Sequence, residues 1–279
     1  MAVSTDSFKT VLWPPDVAAI INLLLEGAPF AGTLTRYPTT RSEVAFPTTA
    51  PDRPAWTPEG ATIPTIGLHD DADIVGVAKL AEIILLSNES VSDTSVNLTA
   101  QVGNLLQDAA SPELDRGILY GTGSPEPVGI VASAPATDAA DLATAISLAV
   151  GQIGDAGGTA THLAGKPSLL AKHRNDRDSN GRLLYDNGIG EVFGLTEVGV
   201  PELTDVLVYD STRAFLIVRN DFEVAISQDY AFAADSAAVR IRGRFAVAAP
   251  TVQKTLRQIT VAGAKPTVED QSASRKRTA

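Results

Sequence analysis

The chain has 279 residues, 44% of them hydrophobic and 20% charged, a composition that supports a folded protein with a buried core. Its 33 acidic residues outnumber its 22 basic residues and give a formal charge of −11, which argues against nucleic-acid binding through bulk charge. The absence of cysteine excludes disulfides, thiol catalysis and cysteine-ligated metal centres, and 3 histidines leave little material for a histidine-rich metal site.

The first predicted element is an amphipathic helix that begins after two prolines. Its aliphatic residues recur three and four positions apart, as on one face of a helix. They are Val17, Ile20, Ile21, Leu24 and Leu25. The run is much shorter than the roughly 20 apolar residues of a membrane span, and acidic residues flank it, so neither a span nor a secretion signal is expected. A helix this short is marginal alone in water, so we expect Ile20 and Leu24 to pack against their own chain or a neighbouring copy.

A proline-rich stretch follows and is predicted to form a long extended loop. Six prolines between positions 38 and 64 remove backbone donors and exclude a helix or a central strand. Short strands are predicted near 43–46 and 61–66, with the loop tip around 51–60. Trp56 lies in this tip, and its large apolar ring indicates contact either with another molecule or with its own sheet.

The rest of the chain is predicted to mix helices and strands. One long strand is expected over 72–86, and a long helix from Ser92 or Asp93 is expected to restart or kink at Pro112 before it ends at Gly121. The later predicted elements are helices over 138–153 and after Pro167, and strands over 159–163, 206–209, 214–218, 222–227 and 237–248.

The last predicted strand has two chemically different faces. The apolar face comprises Val239, Ile241, Phe245 and Val247, and the opposite face comprises Arg240, Arg242 and Arg244. Two interpretations of the arginines are open. They pair with acidic loop residues of a neighbouring copy, such as Asp52 or Glu59, or they form a solvated strand face.

Candidate metal and catalytic patterns are weak in this sequence. The segment 176–181 begins like a calcium-binding loop, but the twelfth position is Asn187 where such a loop needs a bidentate glutamate. A tight Asn-Gly turn is therefore favoured there, and a solvated turn is favoured for the acidic residues around Asp70. No catalytic, metal or cofactor site is predicted, although a metal-dependent hydrolase or ligand-binding protein using Asp70, Asp176 and Asp178 stays as an alternative.

In their order along the chain, several segments resemble the major capsid proteins of tailed bacteriophages, which have the Hong Kong 97 fold. They are Trp-Thr-Pro-Glu-Gly within 55–60, the strand end over 79–89, Leu-Tyr-Gly-Thr-Gly-Ser-Pro-Glu-Pro within 118–130, and the segments 179–184 and 221–245. The resemblance covers roughly residues 35–260 and implies an α+β fold. It implies an N-terminal arm (1–35), an extended loop reaching over a neighbouring subunit (36–75), a peripheral domain with a long spine helix (76–128 and 216–262), an axial domain (129–215) and a flexible basic tail (263–279).

The resemblance also implies a function. The expected protein is a structural protein and not an enzyme, forming pentamers and hexamers that close into an icosahedral shell around double-stranded DNA. Assembly is expected in the host cytoplasm, with the protein ending in the virion and having no membrane contact and no cofactor. Portal, protease and decoration proteins are implied partners, and scaffolding is expected from a separate protein or an already removed segment. An encapsulin-like shell around protein cargo is the alternative within this architecture.

One departure from some relatives is visible in the loop. Those relatives join their subunits through an isopeptide bond from a loop lysine, whereas residues 46–68 contain no lysine here. We therefore expect a shell without covalent cross-links.

Overall fold

The computed structural model describes residues 27–47, 56–63, 72–87, 98–177, 180–183, 185 and 189–261. The predicted helix with Ile20 and Leu24, the loop residue Asp52 and the predicted tail 263–279 lie outside these residues. The described helices are α1 (Pro29–Thr33), α2 (Leu98–Tyr120), α3 (Leu142–Asp155), α4 (Pro167–Arg174), α5 (Ile189–Val192) and α6 (Val252–Thr255).

Within the same residues, the strands form three sheets. The strands are β1 (Thr35–Pro38), β2 (Glu43–Pro47), β3 (Ala72–Gly76), β4 (Ala78–Ser87), β5 (Ala136–Ala139), β6 (His162–Gly165), β7 (Thr196–Gly199), β8 (Val206–Tyr209), β9 (Phe215–Ala231), β10 (Ser236–Ala248) and β11 (Leu256–Val261). The first sheet has the order β1-β9-β10-β4, the second has the order β5-β11-β8-β6-β7, and β2 and β3 form a hairpin.

The four-stranded sheet packs one face against the long helix α2. β10 lies antiparallel to both β9 and β4, and β1 adds a parallel edge strand beside β9. The buried face of β10 contributes Val239, Ile241 and Phe245 to a core that also contains Leu114 and Ile118 of α2. The alternation predicted for the last strand is therefore confirmed, because its apolar face is the one that contacts the helix.

The five-stranded sheet is covered by α3. Asp141 caps this helix by accepting a hydrogen bond from the backbone N–H of Thr144, at 2.8 Å. Ile146 and Ile153 of α3 are fully buried against strand residues such as Leu163 and Val208. All four residues of β8 are buried, as expected for a central strand with both faces covered.

The β2–β3 hairpin forms the base of the extended loop. β2 pairs antiparallel with β3, from Glu43 opposite Gly76 to Pro47 opposite Ala72. Phe46 is 9% exposed and stacks on Phe215 of β9, with ring centroids 5.7 Å apart. The base of the loop is therefore fixed to the four-stranded sheet, and residues 48–71 span the gap between the two strands.

Several predicted boundaries are wrong, each for a local reason. The strand predicted over 72–86 is two strands separated at Val77, because β3 pairs with the loop base and β4 pairs with β10. The strands predicted over 214–218 and 222–227 are one strand, β9, whose register is irregular near Asn220. The predicted strand over 61–66 is absent from its described part, 61–63.

Two helix predictions also need correction. α2 runs through Pro112 without the predicted restart, because the apolar residues on both sides of the proline pack into one core. Asp138, the predicted start of the next helix, lies in β5, and the helix begins after Asp141.

The structure places β11 and residues 28–34, near the two ends of the described chain, in specific parts of the fold. β11 belongs to the five-stranded sheet, beside β5 and β8, although the sequence prediction placed 216–262 in the peripheral domain. Residues 28–34, the end of the predicted arm, contribute Ala28, Phe30 and Leu34 to the core of their own chain.

Candidate functional site

The described part of the loop tip, residues 56–63, exposes its apolar side chains. Trp56 is fully exposed, at 103% of its reference area, and Ile63 is 79% exposed. The alternative in which Trp56 packs on its own sheet is not what this structure shows. A single subunit thus leaves a large aromatic ring in water, which is typical of a contact made with another molecule.

A second exposed surface lies on the face of the four-stranded sheet opposite α2. Here Arg240 and Arg242 of β10 are exposed, Arg244 is half-buried, and Lys79 of β4 lies opposite Arg244 in the register. These residues line a shallow pocket of about 420 Å³, which we call the basic basin. It is lined by Lys79, Ala81, Asn220, Arg240, Arg242, Gly243 and Arg244.

The backbone of β10 is irregular within the basic basin. Its register with β9 shifts between Arg242 and Arg244 and again between Arg244 and Phe245. A Cβ atom on Gly243 would lie 2.3 Å from the Phe245 ring, so the ring occupies the space of any side chain at that position. Glycine therefore permits the bulge that sets the spacing of the arginines.

The basic basin carries an excess of positive charge. Arg242 donates to Glu223 of β9, with Nε and Oε2 2.8 Å apart, and both side chains are about half exposed. Among the described residues, Lys79, Arg240 and Arg244 have no carboxylate within ion-pair distance. Four cations against one carboxylate form an electropositive patch on an acidic protein, suited to carboxylates or phosphates.

Apolar side chains border the basic basin along β4. This strand is an edge of its sheet, and Ile83 and Leu85 are 48% and 55% exposed on the same face as Lys79. Natural proteins usually cover or interrupt a long apolar edge strand, because it otherwise invites pairing with another chain. Charged and apolar groups side by side favour a protein partner for this surface.

Within one subunit, the predicted interface residues fall on separate surfaces. Trp56 and Glu59 are in the exposed loop tip, and Arg240, Arg242 and Arg244 line the basic basin. In the described part of the chain, no ion pair or hydrogen bond joins Glu59 to these arginines.

The described residues of the calcium-loop pattern, 176–177 and 180–181, have the features of a tight turn. Arg177 and Leu183 form an isolated bridge, and the Arg177 guanidinium donates to the Gly181 carbonyl at 2.8 Å. Gly181 has φ +78°, the left-handed conformation expected of an Asn-Gly turn. No cluster of three potential metal ligands occurs among the described residues, and Asp70, Asp178 and Asn187 lie outside them.

Two residues of α2 have roles that the sequence analysis did not identify. Arg116 pairs with Glu113 at 2.6 Å and with Glu126 at 2.7 Å, which ties the following loop to the helix. These hydrogen bonds to two carboxylates raise the pKa of Arg116. Asp115 is buried and accepts backbone hydrogen bonds from α1. An acidic residue beside the apolar positions Leu114 and Ile118 was the available sequence signal.

Comparison with known proteins decides the family. A model of the phage capsid family matches residues 10–253. The chain belongs to the phage capsid family. Among curated proteins, none matches this sequence.

Solved structures show the same fold for this capsid protein. A chain from Mycobacterium phage Adephagia is similar at 20% identity and a TM-score of 0.69, covering 86% of this chain and 92% of the other. The capsid of a native GTA particle is similar at 14% identity and a TM-score of 0.69, covering 85% and 91%. A chain from Microbacterium phage Oxtober96 is similar at 19% identity and a TM-score of 0.65, covering 83% and 90%.

The capsid family accounts for the expected fold and class of function. The α+β Hong Kong 97-type fold predicted from sequence is confirmed, and the family consists of structural proteins of the phage shell. Among the described residues, no helix combines the length and apolar character needed to cross a bilayer.

Proposed function

We propose that this protein is the major capsid protein of a tailed double-stranded DNA phage and assembles into pentamers and hexamers that close into an icosahedral shell. The observation that carries the proposal is the family match over residues 10–253. Assembly takes place in the host cytoplasm, with portal, protease and decoration proteins and a separate scaffold as further partners. The packaged DNA is enclosed by the shell and is not bound through bulk charge.

The proposed division of labour follows the sheets. Residues 1–35 form the arm, 36–75 the extended loop, and 263–279 the tail. The peripheral domain comprises 76–128 and the strands β9 and β10. We assign β11 with 129–215 to the axial domain, because β11 hydrogen-bonds to β5 and β8.

We further propose that the loop tip of one subunit docks on the basic basin of the next. Residues 48–71 contain Asp52, Glu59, Asp70 and Asp71 against one arginine, so the loop is acidic where the basin is basic. Glu59 and Asp52 approach the arginines, and Trp56 covers apolar surface near the β4 edge. Opposite charges would set the register of the contact, and the aromatic ring would supply most of its affinity.

This contact is heterologous, since the loop tip and the basic basin are different surfaces of the same chain. A heterologous contact repeated around an axis closes into a ring when the rotation between subunits permits it. Pentamers and hexamers are therefore the expected products. The apolar arm residues Ile20 and Leu24 add a further contact between copies in this proposal.

Particle size tests the proposed assembly. Purified full-length protein at micromolar concentration is examined by light scattering after size exclusion and by negative-stain microscopy. Rings or megadalton particles are expected, and a compact monomer at every concentration would contradict the proposal. Nuclease-protected DNA in particles from infected cells distinguishes a phage capsid from an encapsulin-like shell, which would hold protein cargo.

A further inference from the structure

A buried carboxylate joins the long helix to the N-terminal part of the chain. Asp115 of α2 is only 1% exposed to solvent. Its Oδ2 accepts from the Phe30 N–H at 3.0 Å, and its Oδ1 accepts from the Ala31 N–H at 2.9 Å. No lysine, arginine or histidine of the described chain forms an ion pair with it. Among the described residues, the two backbone N–H groups are therefore the hydrogen-bond partners of this carboxyl.

The segment held by Asp115 depends on it for capping. α1 has no side-chain cap of its own, so Asp115 satisfies two donors in its first turn. Phe30 packs edge-on against Tyr209 of β8 with centroids 5.3 Å apart, and the Thr33 and Tyr209 hydroxyls lie 2.6 Å apart. Residues 28–34 are thus attached to both α2 and the five-stranded sheet.

The groups around Asp115 oppose its ionisation. Burial raises the pKa of Asp115 to about 6, Glu202 acts in the same direction through its negative charge, and the two backbone hydrogen bonds act against this. Within the described part of the chain, Tyr209 is the other titratable group that interacts with Asp115. Burial raises the pKa of Tyr209 far above physiological pH, so this tyrosine stays neutral while Asp115 titrates.

We propose that Asp115 makes the attachment of residues 28–34 to the long helix pH-dependent, tight when the carboxyl is protonated and weaker when it is ionised. A neutral carboxyl keeps a carbonyl oxygen as acceptor for one N–H and weakens the bond to the other, but it escapes the larger cost of a buried charge that has no cation beside it among the described residues. Opening of the attachment exposes the ionised group to water and restores its hydration. The chain would thereby couple pH to the point where its N-terminal segment joins the shell subunit.

The direction of this pH dependence follows from the linkage between proton binding and folding. The pKa of Asp115 in the folded state, about 6, is above its ordinary 3.8, so the folded form binds the proton more tightly. The stabilisation of the attached state by the proton on Asp115 is complete below the ordinary pKa. It is lost as pH rises through the pKa of the folded state. Between pH 5 and pH 8, the opening equilibrium of residues 28–34 should increase about tenfold.

Amide hydrogen exchange on the full chain tests this proposal. Exchange of residues 28–34 is measured from pH 5 to pH 8, corrected for intrinsic rates, with residues 142–155 of α3 as an internal reference. The natural chain should show the about tenfold increase in residues 28–34 only. Asp115→Asn, which is neutral throughout, should show no pH slope in this segment.

Tyr209→Phe is the matched control and guards against failure of Asp115→Asn to fold. It removes the hydroxyl contact to Thr33 but leaves the carboxyl, so exchange of residues 28–34 should rise by the same factor at every pH. A flat profile in the natural chain would overturn the proposal. So would a slope that persists in Asp115→Asn, or one that disappears in Tyr209→Phe.

Discussion

The five-stranded sheet and the face of the four-stranded sheet opposite α2 differ in how much of their surface one subunit buries. In the five-stranded sheet, every residue of β8 is buried and α3 covers the strands. In the four-stranded sheet, β10 buries Val239 and Ile241 but exposes Arg240 and Arg242 on its other face. One region is completed by its own chain, whereas the other leaves arginine side chains exposed in a single subunit.

Their arginines show the same contrast. Arg257 of β11 is 6% exposed, and its guanidinium donates to the side-chain oxygens of Gln152 and Gln253 at 3.0 Å each. Arg240 and Arg244 have no carboxylate partner among the described residues. A buried cation needs hydrogen-bond partners within its own subunit, whereas an exposed cation is hydrated and stays available to an acidic partner.

The largest expected effect comes from breaking the self-sufficient region. Ile146→Ala removes a fully buried side chain from the core beneath α3 and should lower the free energy of unfolding by about 2–5 kcal/mol. Chemical denaturation of the full chain measures the change. The exposed Leu148 of the same helix is the control, and Leu148→Ala should change stability by less than about 0.5 kcal/mol. Equal losses in both variants would contradict the described core.

The loop tip should show the reverse behaviour. Trp56→Ala removes a fully exposed ring, so the unfolding free energy of the subunit should stay within about 0.5 kcal/mol of the natural value. The protein concentration needed for assembly should rise more than about tenfold, because an aromatic anchor of the contact is lost. Light scattering against concentration measures this, with Trp56→Phe as the conservative control that retains assembly. Normal assembly of Trp56→Ala would remove the ring from the proposed contact.

A smaller and salt-dependent effect is expected in the basic basin. Arg240→Glu should slow assembly at low ionic strength, and the difference should shrink as salt screens the contact. Lys172→Glu makes the same charge change on α4, away from the basin, and serves as the control. Glu59→Arg combined with Arg240→Glu should recover part of the rate. If Arg240→Glu and Lys172→Glu slow assembly equally, the effect comes from the change in net charge and not from the basic basin.

No effect is expected from the covalent chemistry found in some related shells. Because residues 46–68 contain no lysine, mature shells should dissociate fully into single chains on a denaturing gel. A ladder of linked chains from purified mature particles would contradict this expectation.

Periodicity predicted the parts of the fold in which one face is buried. The alternation from Val239 to Val247 correctly assigned both faces of β10, because the pleat places alternate residues on opposite sides. The separation at Val77 could not be read this way, since the apolar pattern continues across a change of pairing partner. Strand β9 was divided in error because the polar residues 219–221 resemble a turn.

The candidate site was predicted in part, and the reason is physical. Trp56 and the three arginines were singled out from sequence as candidate contact residues, because a tryptophan in a proline-rich loop and charge on one face of a strand leave a local signal, and their role in a contact stays a prediction. Asp115 was missed, since an acidic residue among apolar positions does not by itself reveal that it caps a helix 84 residues away. The basin's shape depends on Gly243 and a bulge, which only the pairing of three strands reveals.

Cross-linking between differently labelled subunits tests directly whether the loop tip of one subunit contacts the basic basin of the next. The natural chain lacks cysteine, so Glu59→Cys and Arg240→Cys can be introduced in separate populations without background. The two populations are mixed before assembly and treated with a short bis-maleimide linker. We expect a covalent dimer that contains one chain of each kind. Linkage that occurs only when both cysteines are in one chain, or no linkage in assembled particles, would contradict it.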